Sequence, residues 1–360
     1  MTQYQTEPMY LRVDTKLQQA DFDAYLIQDA HNRDFLCNKG NYCLPGTMLC
    51  TKQGFYLATP SRNLAYFQEI YPEYHVLAGG VVEIADICKT LGIQRLGYEA
   101  DLTSKLAYDA LCIAFAPLQL VDAPRFIEDL RLIKTDHELA LLQEATRISD
   151  KAYLEFLNHI KIGQTEAEAR NIFNDIMMRF GADGFSFETL LSSGARCFLP
   201  HSAPTDKVIA AGDFVLMDFG IQKNGYCSDT SRTIVMGQAD SRQAEAYQLV
   251  LDAQLAALEG ICAGMNARQA DAIARDIICA KMPDACYDYG LGHGIGRQVH
   301  EAPRMHPSNQ AIILQENMVV SVEPGVYIKG WGGIRIEDVL VIKKGRGVNL
   351  TTAPKHLIEI

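Results

Sequence analysis

The sequence predicts an α/β (α+β) chain of two domains, and three observations carry that reading. Its 360 residues are more than one hydrophobic core usually serves, since chains tend to divide beyond about 250 to 300 residues. The hydrophobic period changes near residues 123 to 134, from short apolar runs interleaved with helical stretches to a long helical repeat. Beyond that change, two strand-rich blocks flank a helical stretch, and each sets acidic residues inside apolar strands.

With 48% hydrophobic and 21% charged residues, neither a disordered chain nor a membrane protein fits. Forty-four acidic against 33 basic residues give a net charge of -11, which repels phosphate backbones and anionic lipid, so neither nucleic acid nor a membrane is expected as a partner. The start, MTQYQTEP, has no basic or apolar leader, and no later stretch approaches the ~18 apolar residues of a span. Ten cysteines at irregular spacing include no Cys-x-x-Cys pair. A zinc ribbon and a dithiol redox site are therefore disfavoured, and a reducing cytoplasm is the expected home.

In chain order, residues 1–125 hold DAYLIQD, TMLCTKQGFYLAT and VVEIADICKTLGIQRLGYEAD, alternating strand and helix patterns that read as a small α/β domain. Residues 126–134 read as the junction and 135–360 as the larger domain. That domain opens with a long helix carrying Leu139, Leu142, Ala145 and Ile148 on one face, with Thr135 or Asp136 as its cap. A second helix (TEAEARNIFNDIMMRFG), a string of strands, a helical stretch from Ser241 to Lys281 and a strand-rich end follow.

In DFVLMDFGIQKNGYCSDTSRTIVM two β-branched and aromatic runs flank Asn224-Gly225, a strong hairpin signal. With these as the loop residues, Lys223 pairs with Tyr226, Gly220 with Asp229 and Asp218 with Ser231. Asp218 and Asp229 then share a face as diagonal neighbours about 7 to 8 Å apart. Asp218 also shares its face with Phe214 and Leu216, where an ionised carboxylate is costly without a counter-charge. Pairing of one aspartate with Arg232 is the alternative reading.

Near the end, MVVSVEPGVYIKGWGGIRIEDVLVI reads as two more strands, with Glu323 closing the first and Glu337 inside the second. Alternation puts Arg335, Glu337, Val339 and Val341 on one face, so Arg335 is expected beside Glu337 and able to orient it. Between the two blocks, GLGHGIGRQVHEAPRMHP surrounds His293 with glycines that permit close backbone approach. The spacing does not complete a dinucleotide fingerprint. His31, His75, His137, His159 and His356 read as ordinary core or surface histidines.

Four carboxylates and one imidazole thus converge: Asp218, Asp229, Glu323, Glu337 and His293. Clustered carboxylates without cations repel and take up protons. Two divalent ions bring a charge that balances four carboxylates and a neutral imidazole. Oxygen-rich ligation with one nitrogen suits Mn²⁺, Fe²⁺, Co²⁺ or Zn²⁺, and a two-metal site activates a water and polarises a carbonyl.

The order Asp218, Asp229, the GHGIG histidine His293, Glu323 in EPG and Glu337 in RIED resembles the metallopeptidases of the pita-bread fold, which include methionine aminopeptidase, aminopeptidase P and prolidase. The chain is most similar to the Xaa-Pro dipeptidase and aminopeptidase branch, through a creatinase-type N-terminal domain and the junction LRLIKTDHELALLQEA. The resemblance covers nearly the whole chain and is looser in the N-terminal domain, where TPSRN stands in place of the common TDSRY. It implies that Asp218 chelates one metal, His293 and Glu323 the other, and that Asp229 and Glu337 bridge both, with Mn²⁺ the first expectation. It further implies that His201 lines the substrate site, that His300 hydrogen-bonds the scissile peptide, and that Glu323 shuttles a proton to the leaving amine. A cytoplasmic homodimer acting on short peptides follows by the same analogy.

One position departs from the family's form. Proline-specific relatives commonly have a histidine four residues before the metal histidine, near the pocket for the residue after the scissile bond, and this chain has Tyr289 there. Proline selectivity is what that exchange puts at stake; a packing aromatic in a loop is the alternative. Three rival functions share the fold. A creatinase-like amidinohydrolase lacks the metals, a non-catalytic peptide-binding member usually loses ligands, and metal-keeping lyases are disfavoured by His201 and His300. A metallo-aminopeptidase without proline selectivity stands as the nearer alternative.

Overall fold

The computed structural model describes residues 9–37 and 45–360; the opening MTQYQTEP lies outside the described residues. The chain divides into two compact units, the first ending at Arg131 and the second running Leu132–Ile360. That division falls inside the stretch 126–134 read as the junction.

The first unit is built on one six-stranded mixed sheet. Strands β1 (Ala24–Ile27), β2 (Thr47–Thr51) and β3 (Gly54–Thr59) form an antiparallel meander, and β4 (His75–Ala78), β5 (Arg95–Tyr98) and β6 (Gln119–Asp122) extend it with parallel pairings in the order β4-β3-β2-β1-β5-β6. Strand β1 is buried along its whole length because both faces are covered. Tyr25 and Ile27 pack with Val13 and Leu17 of α1 (Met9–Gln18), Phe35 of α2 (Ala30–Cys37) and Phe67 of α3 (Leu64–Ile70). Ala24 and Leu26 meet Ile84 and Cys88 of α4 (Val81–Leu91) and Leu111 of α5 (Lys105–Ala114) on the other face. A single turn, α6 (Glu128–Arg131), closes the unit, with Arg131 Nη1 donating to Asn32 Oδ1 at 3.0 Å.

The second unit opens with α7 (Asp136–Phe156), which starts where Thr135 accepts from the Glu138 amide and Glu138 reaches back to the Thr135 amide. Helix α8 (Glu166–Arg179) starts with the same reciprocal pair, Thr165 and Glu168. A short strand, β7 (Gly184–Phe185), precedes β8 (Leu190–Ser193), which pairs antiparallel with β9 (Phe214–Phe219). Strand β10 (Ile221–Lys223) turns through Asn224 and Gly225, both at positive φ (51° and 77°), into β11 (Tyr226–Cys227) and β12 (Thr230–Val235). The register is the expected one: Lys223 faces Tyr226 and Asp218 faces Ser231. Val215, Met217 and Phe219 pack against α7 and α8, while Phe214 and Leu216 face a second core.

That second core is filled by α9 (Ser241–Gly260) and α10 (Ala267–Lys281). The expected single helical stretch is two helices, because Gly264 at φ +94° and the Asn266 cap, which accepts from the Gln269 amide, break it. Strands β13 (Gly292–Gly294), β14 (Glu301–Met305), β15 (Val319–Val322), β18 (Asp338–Val341) and β19 (Val348–Asn349) form a sheet in the order β14-β13-β15-β18-β19, and β16 (Gly325–Ile328) pairs with β17 (Gly332–Arg335) separately. The strand expected to run through Arg335, Glu337 and Val341 is therefore interrupted at Ile336-Glu337.

Arg232 is fully buried against Asp338 at 2.8 Å, and Lys355 bonds the same carboxylate. The alternative that Arg232 neutralises Asp218 or Asp229 is thereby overturned. A disulfide joins Cys279 and Cys286, a pairing for which the irregular cysteine spacing gave no sign. Among the described residues, no helix is long and apolar enough to cross a membrane.

Candidate active site

Each of the two carboxylate-bearing strand pairs delivers its acids to one cavity. From the hairpin, Asp218 and Asp229 point to the face opposite α7 and α8 and are buried. Glu323 follows the last residue of β15 and Glu337 precedes the first of β18. His293 is held between two close backbone contacts. A Cβ on Gly292 would stand 2.0 Å from the Ser321 carbonyl oxygen, and one on Gly294 2.1 Å from that of Ala302, so only glycine lets β13 fit between its neighbours.

A cavity of about 290 Å³ is lined by all five residues, with His201, His300, Phe187 and Val299 among its other walls. A second cavity adjoins it through His201, His293, His300 and Glu323 and adds Tyr289, Arg304, His306 and Arg335. Ligand atoms of Asp229, His293 and Glu337 lie within 4.8 Å of one another. Glu323 Oε1 is 3.4 Å from His293 Nε2, and Asp229 Oδ2 is 3.5 Å from it. The rings of His293 and His300 meet edge to face, 4.3 Å between centroids.

Arg335 does not orient Glu337 directly. Its Nη2 bonds Asp218 Oδ2 at 2.5 Å and its Nε donates to Ser231 Oγ at 2.7 Å. Ser231 Oγ in turn donates to Glu337 Oε2 at 2.7 Å. The expected adjacency fails because the backbone breaks between Arg335 and Glu337, sending the guanidinium toward the hairpin. Ser231 was legible as a neighbour of both aspartates on the hairpin face but had drawn no role. Arg304 and His306 were missed as well; they line the adjoining cavity together with His300.

The electrostatics are those of a site short of positive charge. Burial raises the carboxyls of Asp229 and Glu337 well above their ordinary range, and the neighbouring carboxylates push them further. Burial also raises Asp218, against the opposing pull of Arg335, and lifts Glu323 to about 7. Burial, with His300 nearby, lowers His293 to about 3, so its ring is neutral at ordinary pH. Burial and Arg304 lower His300 too.

Two atoms show what the site is built to receive. His293 Nδ1 lies 3.1 Å from the Gly294 carbonyl oxygen, which can only accept, so the neutral ring carries its proton there. Nε2 is then a bare lone pair facing two carboxylates, an arrangement that calls for a cation between them. Asp218 Oδ1 is buried with no hydrogen-bond partner. The donor set of four carboxylates and one imidazole matches that requirement for oxygen-seeking divalent ions. Buried acids around a neutral imidazole in an open cavity define the class of divalent-metal enzymes.

Comparison with known proteins narrows the class. The model of metallopeptidase family M24 matches residues 140–344, and that of the creatinase/prolidase N-terminal domain matches residues 10–133. An uncharacterised peptidase of Bacillus subtilis is 40% identical over 274 residues, 76% of this chain and 77% of that one. A Xaa-Pro dipeptidase of Pyrococcus furiosus is 39% identical over 232 residues, 64% of this chain and 66% of its own length. The solved Xaa-Pro dipeptidase from Bacillus anthracis superposes with a TM-score of 0.93 at 36% identity, over 98% of this chain and all of that one. The chain belongs to metallopeptidase family M24, with the pita-bread catalytic fold following a creatinase-type domain in the sequence.

Proposed function

We propose that this chain cleaves short peptides, Xaa-Pro dipeptides first among them, using two divalent ions held by Asp218, Asp229, His293, Glu323 and Glu337. The observation that carries the reading is the bare His293 Nε2 facing Asp229 and Glu323 in a cavity that opens onto two further histidines. Asp229 and Glu337 would lie between both ions, Asp218 on one side, His293 and Glu323 on the other. Manganese is the first choice for so oxygen-rich a set. When bound, the ions supply an activated water and a Lewis acid for the scissile carbonyl.

The chain's own groups do the rest. Glu323 lines both cavities, which suits it to carry a proton from the metal side to the leaving amine. His300, neutral at ordinary pH, and His201 stand exposed at the opening, where their N–H groups can donate to the peptide carbonyl as charge develops on it. Arg304 in the adjoining cavity offers a fixed positive charge to the terminal carboxylate of a dipeptide. That charge favours dipeptides over longer substrates.

The similarity to the Xaa-Pro dipeptidases of B. anthracis and P. furiosus supports the Xaa-Pro preference. Tyr289, which walls the adjoining cavity, favours a second reading, a metallo-aminopeptidase without proline selectivity. A homodimer is proposed by analogy. The free thiols at Cys50, Cys88, Cys112, Cys197 and Cys262 support a cytoplasmic home, and the Cys279-Cys286 disulfide weighs against it.

The test is exhaustive chelation followed by return of Mn²⁺ or Co²⁺, assayed on Xaa-Pro dipeptides, Xaa-Pro-Yaa tripeptides and non-proline controls. Chelation is expected to abolish cleavage and Mn²⁺ to restore it, fastest on the Xaa-Pro dipeptides. Failure of every divalent ion to support cleavage of any of these peptides defeats the reading.

A further inference from the structure

Helix α10 carries Asp271, Arg275 and Cys279 at four-residue spacing, on one face, and each ties down the segment that leads into β13. Asp271 Oδ1 accepts from the Leu291 amide at 2.8 Å. Arg275 Nη1 donates to the Tyr287 carbonyl at 2.7 Å and Nη2 to that of Tyr289 at 2.5 Å. The same guanidinium grips Asp271 at both ends, Nε to Oδ2 at 2.6 Å and Nη2 to Oδ1 at 2.8 Å, and lies 4.3 Å from the centre of the Tyr287 ring. Cys279 is bonded to Cys286 at the start of the segment.

This bracing bears on the cavity as well as on the fold. The braced segment carries Tyr289, a wall of the cavity that also holds Arg304 and His306, and the Leu291 carbonyl accepts from the Glu323 amide at 2.8 Å. The Tyr289 hydroxyl is pinned too. Arginine only donates and a backbone carbonyl only accepts, so the hydrogen bonds run from Arg335 Nη1 to Tyr327 Oη, to Tyr289 Oη and on to the Glu323 carbonyl, at 3.2, 2.8 and 3.3 Å. Tyr289 is therefore fixed at its backbone by α10 and at its tip by the metal side of the site.

We propose that Asp271 and Arg275 are positioning residues that set the Tyr289 wall, and through it the fit of the substrate residue after the scissile bond, without entering metal binding. The inference rests on the peptide-hydrolase reading, in which Arg304 holds the carboxylate of that same residue. A planar guanidinium is required, since one group must hold a carboxylate at two points and two carbonyls besides; a lysine ammonium cannot reproduce that fork.

Arg275→Met, Arg275→Lys and Asp271→Asn, in the full chain loaded with Mn²⁺, are compared with wild type for Ala-Pro hydrolysis, for bound manganese per chain, and for hydrogen exchange of the peptide spanning residues 286–293. Arg275→Met is expected to raise KM about tenfold with kcat changed less than about threefold, to bind as much manganese as wild type, and to exchange faster in that peptide. Arg275→Lys should fall between the two. Unchanged KM and exchange, or manganese lost together with activity, overturns the proposal. Should Arg275→Met fail to fold, Asp271→Asn, which keeps an acceptor for Leu291 but loses the charge, is read by the same outcomes. A wild-type chain that cleaves no peptide defeats the hydrolase reading, and the exchange result still decides whether the brace holds the segment.

Discussion

The hairpin that carries Asp218 and Asp229 and the strand pair that carries Glu323 and Glu337 present their acids in different ways. Both ladders keep a single register across an interruption. In the hairpin, Phe219 pairs with Thr230 and Gln222 with Cys227, which leaves Gly220 opposite Asp229; Asp218 stays inside the ladder, opposite Ser231. In the second pair, Val322 faces Asp338 and Gly325 faces Arg335, which sets Glu323 opposite Glu337 at the break itself. One pair is thus staggered and flanked by a hydroxyl and a glycine. The other is face to face, and Glu323 stands foremost among the neighbouring charges that raise Glu337 further once burial has done so.

The comparison teaches that the two pairs are not independent. Arg335 leaves its own strand to bond Asp218 and Ser231, and Ser231 passes the contact on to Glu337. Positive charge from the second pair steadies the first, and a hydroxyl from the first steadies the second. Arg335→Met removes the guanidinium from Asp218 and Ser231, leaves the Ser231-Glu337 bond and strands the Asp218 carboxylate, so the metal-free chain should lose about 3 to 5 kcal/mol of stability, the usual cost of breaking a buried ion pair from one side. Denaturant melts of the metal-free protein check this; a loss below about 1 kcal/mol means the two pairs stand alone. Ser231→Ala cuts only the link between Arg335 and Glu337. About tenfold weaker Mn²⁺ binding is expected, typical for loss of a group that orients a ligand, measured by competition with a chelator, and unaltered affinity would leave Glu337 held by its backbone alone.

The same contrast explains what was legible in the sequence. Asn224-Gly225 selects a two-residue turn, and a turn fixes every pairing behind it, so the Asp218-Ser231 register could be read without long-range information. The caps at Thr135 and Thr165 and the glycines beside His293 are likewise local. The second pair has no such turn signal, and the break at Ile336-Glu337 depends on which sheet each half joins; alternation alone placed Arg335 beside Glu337 and was wrong. Gly264 and Asn266 are a local signal of the division between α9 and α10. The Arg232-Asp338 pair, the Cys279-Cys286 bond and the approach of Asp271 and Arg275 to the Tyr289 segment join residues through tertiary packing, for which neither period nor spacing leaves a trace. Within the cavity the residue types told the chemistry, while their hydrogen-bond partners had to be seen.

Crystals soaked in Mn²⁺ and recorded at the manganese absorption edge test the two-ion cage most directly. Two anomalous peaks are predicted, both inside the cavity bounded by Asp218, Asp229, His293, Glu323 and Glu337, with Asp229 and Glu337 touching each peak. An empty cavity under saturating manganese, or a lone peak out of reach of His293, would contradict it.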